Sequence, residues 1–173
     1  MTQRLPAVLT LVDLPLPELL AARLDGDLFA LDDCFTPIDE IDQPRHRAAA
    51  LHAGLSERLI AEQLSAAWIW GALDAPPARH QLCAATGARV GHAHPPWMDV
   101  REVVIHEHEI ASIDGLLLTT PLRTAVDLAR FSPCFEMSMV TRLGVTRTEC
   151  LADLDRRRNL PGKKLARQRL LGC

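Results

Sequence analysis

Two pairs of histidines stand two residues apart in the middle of the sequence. The pairs are His92 with His94 and His106 with His108. This spacing places both side chains of a pair on one face of a β-strand, where two imidazoles could reach one zinc ion, while Glu107 and Glu109 fall on the opposite face. No HExxH motif and no cysteine pair accompanies them. A solvated strand face is therefore the simpler interpretation, and we predict no metal site and no cofactor.

The sequence gives little support for nucleophilic catalysis, a phosphate-binding loop or a nuclease site. Ser65, Ser112 and Ser138 lack the sequence context of a nucleophile elbow. None of the five cysteines has the local histidine support of a catalytic nucleophile, and they form no CxxC pair. Lys163 and Lys164 are the only lysines, so a GxxxxGK[ST] loop and a nuclease D…ExK pattern are both absent. We therefore predict a protein without catalytic residues, not an enzyme.

Arg123 and Asp127 lie four residues apart in a segment with helical character, so they share one face of a helix. An arginine in the first turn opposes the helix dipole, and arginine before aspartate is the poorer orientation for such a pair. Something outside the helix should therefore hold Arg123. One possibility is structural, with donation to carbonyls at a sheet edge or to a buried acid such as Asp114. The other is contact with an anion or a nucleic acid.

Charge is distributed unevenly along the 173 residues, whose net charge is −3. Residues 1–44 carry nine acids against two arginines, a net charge of −7, whereas residues 142–173 carry a net charge of +6. This asymmetry is compatible with a surface for nucleic acid or a protein partner, and equally with two chain ends that face each other.

The basic residues near the end of the sequence form the second candidate binding surface. With Arg123, they make up the predicted binding residues: Arg156, Arg157, Arg158, Lys163, Lys164, Arg167 and Arg169. These side chains flank one turn and could attract phosphate. The alternative is a pair of amphipathic helices with solvated basic faces, which pack Leu151, Leu154, Leu165 and Leu170 inward.

The first forty residues predict a helix followed by a hairpin. Leucines at 16, 19, 20 and 24 form one stripe of a helix over Pro15–Leu24, and two β-prone runs follow, Leu28–Leu31 and Cys34–Ile38. Helix then hairpin is the second half of a winged helix-turn-helix, here in reduced form. Its net charge is wrong for DNA, because Lys and Arg supply most of the non-specific affinity for phosphate.

The remaining elements predict a small sheet packed by helices. Helices are expected over Arg45–Gly54, from Ser56 with a break through Trp70, Pro121–Arg130, Cys134–Leu143, Arg147–Arg158 and Gly162–Leu171. Strands are expected over His80–Ala84, Glu102–Glu107 and Leu116–Thr119. Thr120-Pro121 and the T-x-x-E box at Thr146 and Glu149 mark two helix starts. One of the two tryptophans Trp68 and Trp70 should fill the core, and the other should cover a neighbouring element.

Two stretches carry a family resemblance. The SAAWIWG run at Ser65–Gly71, followed after an extended segment by IDGLLLTTPLRTAVDLAR at Ile113–Arg130, resembles the C-terminal region of AbiEi-type antitoxins. The similar region covers roughly residues 45 to 171, and its most specific part is the D-G-x-x-x-T-T/S-P-x-R-T-x-x-D-L-A pattern. The resemblance implies an N-terminal winged helix that binds operator DNA and a C-terminal domain active against a nucleotidyltransferase-like toxin.

Together these observations predict an α+β protein with a reduced winged-helix-like segment over residues 1–40 and an AbiEi-like domain with a small mixed sheet over residues 45–173. The predicted function is that of an antitoxin-like or transcriptional regulator of a bacterial toxin–antitoxin system. DNA or a toxin protein is the expected partner. The alternative is an orphan protein-interaction domain that has lost DNA binding, which the acidic N-terminus favours. No apolar run reaches the ~18 residues of a membrane span, so we expect a cytoplasmic protein without a membrane partner. Oligomeric state is not indicated.

Overall fold

A computed structural model describes residues 6–53, 55–56, 58–88 and 94–172 of the chain. The chain divides into two compact units, residues 1–55 and residues 56–173, here called the first unit and the second unit. The predicted domain limits of 1–40 and 45–173 stay a prediction. Helices and strands occur in both units, which confirms the α+β class. None of the described helices has the length and apolar character needed to cross a membrane.

The first unit is a helix, a hairpin and a second helix. Helix α1 covers Leu16–Asp25, strands β1 (Leu28–Leu31) and β2 (Cys34–Pro37) pair antiparallel, and α2 covers Pro44–His52. Gly26 ends α1 in the left-handed conformation, with φ of 85°, which glycine adopts without the steric cost of a Cβ. The predicted helix and hairpin are therefore confirmed.

A small apolar core holds the first unit together. Leu9, Leu19, Leu28 and Phe35 form this core, and Leu9 adds a backbone bridge to Phe35. Of the four leucines in the predicted stripe of α1, Leu19 is the buried one, whereas Leu16, Leu20 and Leu24 are exposed. The leucine stripe of α1 is thus wider than the small apolar core of the first unit can bury.

A five-stranded mixed sheet forms the centre of the second unit. Its strands are β3 (Ile60–Ala61), β4 (His80–Ala85), β5 (Met98–Val103), β6 (Ile110–Ile113) and β7 (Leu116–Thr119), in the order β5-β4-β3-β7-β6. The β3–β7 and β4–β5 pairs are parallel, whereas the β3–β4 and β6–β7 pairs are antiparallel. The predicted small mixed sheet is confirmed.

The described residues of the second unit also form the helices α3 (Gln63–Ile69), α4 (Pro121–Phe131), α5 (Met137–Arg142), α6 (Arg147–Arg156) and α7 (Lys163–Leu171). Their apolar faces meet in a core that includes Ala67, Leu128, Leu154 and Leu170. Leu165, expected in this core, is instead 42% exposed. Trp68 is fully buried, and Trp70 donates its indole N–H to the carbonyl of Thr119, as the sequence led us to expect.

Two of the predicted elements differ from the structure. The helical stretch expected from Ser56 is wrong, because Ile60–Ala61 is a two-residue strand at the centre of the sheet and the helix begins only at Gln63. The strand expected over Glu102–Glu107 ends at Val103 and begins earlier, at Met98. In both places the pairing partners of the chain, not the local sequence, decide the element.

Candidate functional site

Helix α4 begins where a threonine and a proline fix its start. The Thr120 hydroxyl accepts a hydrogen bond from the Arg123 backbone N–H at 3.4 Å, and Pro121 occupies the first turn, where no N–H is needed. The same turn orients Arg123 toward the interior. Its side chain is 5% exposed, although it carries a full charge.

Arg123 is held by two buried carboxylates. Its Nε donates to Asp127 Oδ2 at 2.7 Å, one turn along α4, and its Nη1 donates to Glu109 Oε1 at 2.8 Å. Asp127 is fully buried and Glu109 is 2% exposed. Arg123 and Asp127 share one face of α4, as their spacing predicts, and Glu109 is the group outside the helix that also holds Arg123. The suggestion that Asp114 is the second acid is wrong, because Asp114 lies exposed in the turn between β6 and β7.

Further arginines extend this contact into a chain of alternating charges, here called the ion network. Arg130 Nη1 donates to Asp127 Oδ1 at 2.5 Å, and Arg157 Nη2 donates to Glu109 Oε1 at 2.5 Å. Arg157 Nε also donates to Asp153 Oδ2 at 2.8 Å. The network thereby joins α4 and α6 to the segment before β6, which makes removal of any one partner costly.

Glu109 is the acceptor at the centre of the network. It ends a 3-10 turn at Glu107–Glu109, in which the Glu109 N–H donates to the His106 carbonyl at 2.9 Å and the His106 N–H donates to Glu109 Oε2 at 2.9 Å. Burial alone would raise its pKa, but the His106 N–H and the guanidinium groups of Arg123 and Arg157 together lower the pKa of Glu109 to about 2. The carboxylate is therefore ionised at neutral pH.

A second buried ion pair lies on β5. Arg101 Nε and Nη2 donate to the two oxygens of Glu62 at 2.5 and 2.7 Å, a bidentate contact. Glu62 is 1% exposed, whereas the Arg101 side chain is 36% exposed. The guanidinium groups of Arg101 and Arg130 lie 4.6 and 4.3 Å from the ring centroid of Phe131.

Two cavities border these charged groups. A cavity of about 370 Å³ is lined by His106, His108, Arg123, Asp153 and Arg156, among others; we call it the histidine cleft. A cavity of about 670 Å³ is lined by Arg101, Arg123, Arg130, Arg157 and Phe131, among others; we call it the arginine cleft. Arg123 and Arg157 border both cavities.

The basic residues of the last thirty positions occupy different environments. Arg156, Arg158, Lys164 and Arg167 are exposed at the turn between α6 and α7 and within these helices. Arg156 pairs with Asp153 at 3.0 Å and Arg167 with Asp155 at 2.5 Å. The exposed side chains leave a basic surface available to a partner.

The three other members of this predicted set, Arg157, Lys163 and Arg169, form hydrogen bonds within the second unit. Arg157 belongs to the ion network. Lys163 Nζ donates to the carbonyl of Arg157 at 2.7 Å, and Arg169 Nη1 donates to the carbonyls of Ala129 and Ser132 at 3.1 and 2.8 Å. Arg169 thus satisfies carbonyls at the C-terminal end of α4 that have no partner within the helix.

His106 and His108 do not lie on one face of a strand. His106 precedes the 3-10 turn and His108 lies within it, with the two rings stacked 5.6 Å apart. Glu109, expected on the opposite strand face with Glu107, is instead the buried centre of the ion network. His94 lies outside regular structure, and His92 is outside the described residues. Within the described part of the chain, no three His, Cys, Asp or Glu side chains cluster as metal ligands would.

Comparison with known proteins identifies the second unit. The sequence profile of the AbiEi antitoxin C-terminal domain matches residues 60–157, which is more than half of the chain. The chain therefore belongs to the AbiEi antitoxin C-terminal domain family, as the DGLLLTTPLRT run predicted. The match begins at β3 and ends at Arg157, so it contains every carboxylate of the ion network.

A comparison with solved structures also found a match. A crystal structure of the RV2827C protein from Mycobacterium tuberculosis is similar with a TM-score of 0.40 and 15% sequence identity, over 96% of this chain and 75% of that chain. No curated protein matches the sequence.

Sequence reasoning missed Glu109 and Glu62 as partners of the arginines. Both lie far from Arg123 and Arg101 along the chain, by 14 and 39 positions. The available signal was the position of each acid beside an apolar run, since a buried carboxylate needs a cation. This signal does not indicate which arginine pairs with each acid.

Proposed function

We propose that the protein is an antitoxin-like regulator that acts by binding another macromolecule and has no catalytic activity of its own. The observation that carries this proposal is the match of the antitoxin C-terminal domain family to residues 60–157. These residues contain the ion network and lead directly into the basic surface of α6 and α7.

The buried acids and thiols are poorly suited to catalysis, which supports a role in binding. Glu109, Asp127 and Asp153 each accept from at least one arginine, and the pKa of Glu109 is lowered to about 2 by its contacts despite burial. A carboxylate held in this way is a poor general base, because its affinity for a proton is low. Burial raises the pKa of the Cys34 and Cys150 thiols to about 11, which makes them weak nucleophiles.

The exposed basic side chains of α6 and α7 supply the proposed contact surface. Arg156, Arg158, Lys164 and Arg167 are all exposed. The side chains of Arg158 and Lys164 form no hydrogen bond or ion pair with the described residues. These two side chains have no ion pair or hydrogen bond to give up when they contact an acidic protein surface or phosphates. Their charge also accelerates the encounter with a partner of opposite charge. Arg123 and Arg157 contribute by ordering the helices that carry this surface.

The first experiment tests the toxin partner. The full chain is co-expressed with the product of the gene next to its own, and growth and co-purification are measured. We expect rescue of growth by the native chain and weaker rescue by the double variant Arg158→Glu with Lys164→Glu. Arg147→Glu, also exposed but at the other end of α6, serves as the matched control and should rescue fully. Toxicity unchanged by the native chain would contradict an antitoxin role.

The second experiment tests DNA. The shift of a fragment from upstream of the gene is measured at increasing salt, because binding through phosphates weakens steeply as salt rises. A shift that disappears with salt and is weakened by the double variant supports regulation through DNA. The absence of a shift at low salt rejects DNA as the partner and leaves the toxin experiment to decide.

A second candidate function is that of a protein-interaction domain without DNA binding. The first unit favours it, because α1 exposes Leu16, Leu20 and Leu24 to 47, 40 and 88% in a segment whose net charge is −7. An apolar helix face surrounded by acids suits a basic protein and repels DNA. Leu20→Ser with Leu24→Ser should weaken capture of a protein partner and leave any DNA shift unchanged.

A further inference from the structure

The arginine cleft brings four guanidinium groups to one cavity. Arg101 comes from β5, Arg123 and Arg130 from α4, and Arg157 from the end of α6, and all four border the same space of about 670 Å³. Guanidinium groups repel one another, so such a gathering must be compensated by acids or by a bound anion.

The internal hydrogen bonds do not use all of the donors. Arg101 and Arg157 each bond through Nε and Nη2, and Arg123 and Arg130 each bond through Nε and Nη1. Each guanidinium therefore keeps one terminal nitrogen without a hydrogen-bond partner among the described residues. No described guanidinium nitrogen is both enclosed and unpartnered, so each of these four nitrogens keeps some access to solvent.

The acids that pair with the arginines of the cleft are shared unevenly, and the exposed Glu102 also lines the cleft. Glu62, Glu109, Asp127 and Asp153 are the acids that pair with these four arginines, but Asp153 also pairs with Arg156. Within the described part of the chain, Arg130 has Asp127 as its one ion-pair partner and shares it with Arg123. Burial lowers the pKa of Arg130, with a smaller effect in the same direction from Arg123 and Arg101, against the attraction of Asp127. An anion in the cleft would relieve this repulsion.

The remaining lining of the cleft suits a ligand with a planar part. Phe131 is 37% exposed and stands beside Arg101 and Arg130, and the exposed Asn159 offers an amide that both donates and accepts. Small-molecule sites in proteins commonly have volumes of ~300–1,000 Å³ and combine apolar contact with a few polar groups. The cleft meets both conditions for a ligand of nucleotide size.

We propose that the arginine cleft binds a phosphate-bearing ligand of nucleotide size. The unpartnered nitrogens of Arg101 and Arg130 hold the phosphoryl oxygens, and Phe131 contacts the planar base. This site goes beyond the proposed function, because the antitoxin role needs only the exterior basic surface. The phosphoryl group belongs either to a free nucleotide or to the end of a single strand.

Calorimetry of the full chain at low salt tests the site with four probes. The probes are inorganic phosphate, adenosine, adenosine 5′-monophosphate and a 5′-phosphorylated single-stranded oligonucleotide. We expect the monophosphate to bind more tightly than phosphate and adenosine not to bind. An oligonucleotide that binds more tightly than the monophosphate identifies a strand end as the source, and equal affinity identifies a free nucleotide.

Two variants locate the binding. Arg101→Lys keeps the charge next to Glu62 but lacks the forked donor, so it should weaken both phosphate and monophosphate about tenfold. Phe131→Ala should weaken the monophosphate and leave phosphate unchanged. Arg142→Gln removes an exposed arginine that does not line the cleft, and it should bind all probes as the native chain does.

Two results would overturn the site. One is the absence of heat with every phosphate-bearing probe at millimolar concentration, in a preparation whose cooperative thermal unfolding shows that it is folded. The other is binding that neither cleft variant weakens. If Arg101→Lys fails to fold, the contrast between phosphate and monophosphate in Phe131→Ala decides. A toxin or DNA result of either sign leaves this test unaffected, because it uses small probes.

Discussion

Arg123 donates to Asp127 at 2.7 Å, with the two side chains 5% and 0% exposed, and Asp127 in turn accepts from Arg130 through its other oxygen. Two arginines of α4 thus depend on one carboxylate within the same helix. An ion pair at this depth contributes through mutual dependence, because each group is costly to bury without the other.

Asp127→Asn should therefore be strongly destabilising. The amide has nearly the same shape but leaves the buried Arg130 without its counter-charge and Arg123 with Glu109 alone, which costs about 3–5 kcal/mol. The free energy of unfolding from urea denaturation measures the effect. Asp155→Asn, which removes an exposed partner of Arg167, is the matched control and should change stability far less. Equal losses in the two variants would show that the ion network is not structural.

Glu109 should make stability depend on acid pH. Its contacts, against the opposing effect of burial, lower its pKa from 4.5 to about 2, so the folded state binds its proton more weakly than the unfolded state does. The resulting stabilisation is fully present above about pH 4.5 and is lost as the pH falls toward about 2. A shift of this size corresponds to about 3 kcal/mol.

Urea denaturation of the native chain and Glu109→Gln between these pH values measures this dependence. The difference in unfolding free energy between them should shrink as the pH falls. Glu107→Gln changes an exposed carboxylate in the same turn and should follow the native curve at each pH. Parallel curves for the native chain and Glu109→Gln would contradict the assignment.

The local sequence was sufficient to predict how α4 begins and that Arg123 and Asp127 share one of its faces. Thr120-Pro121 fixed the helix start, and a spacing of four residues placed Asp127 on the same face. Both are short-range effects. Glu109 could not be identified, because its approach to Arg123 depends on the 3-10 turn before β6 and on the pairing of β6 with β7. No spacing rule in the sequence contains that geometry.

The prediction of a helix across β3 is wrong for a similar reason. Two residues, Ile60 and Ala61, are too few to show alternation, and the stretch from Ser56 to Trp70 is rich in helix-forming alanine and leucine. The strand exists because β4 and β7 bond to it from both sides. Its central position in the sheet is a tertiary property that overrides local propensity.

The cysteines should differ sharply in reactivity. Cys34, Cys83 and Cys150 are buried, and burial raises the pKa of the Cys34 and Cys150 thiols to about 11 and that of Cys83 further, whereas Cys134 is exposed. Alkylation by iodoacetamide in the native protein should label Cys134 at least about tenfold faster than the other three. Peptide mass spectrometry at several times measures each site. In urea the four rates should converge, and rates that already agree in the native protein would contradict this burial.

Gly162 should tolerate alanine worse than another glycine with the same backbone conformation. It precedes α7 with φ of +75°, and a Cβ there would lie 3.2 Å from the carbonyl oxygen of Arg130 and 3.3 Å from its Cβ. Gly144 has φ of +70° and open space around the same position. Both alanine variants carry the strain of a left-handed backbone, but Gly162→Ala must also displace α7 from α4, where Arg130 Nε donates to Pro161. We expect urea denaturation to show Gly162→Ala about 1–3 kcal/mol less stable than Gly144→Ala, a typical effect of overpacking. Equal stability would mean that α7 is not seated closely against α4.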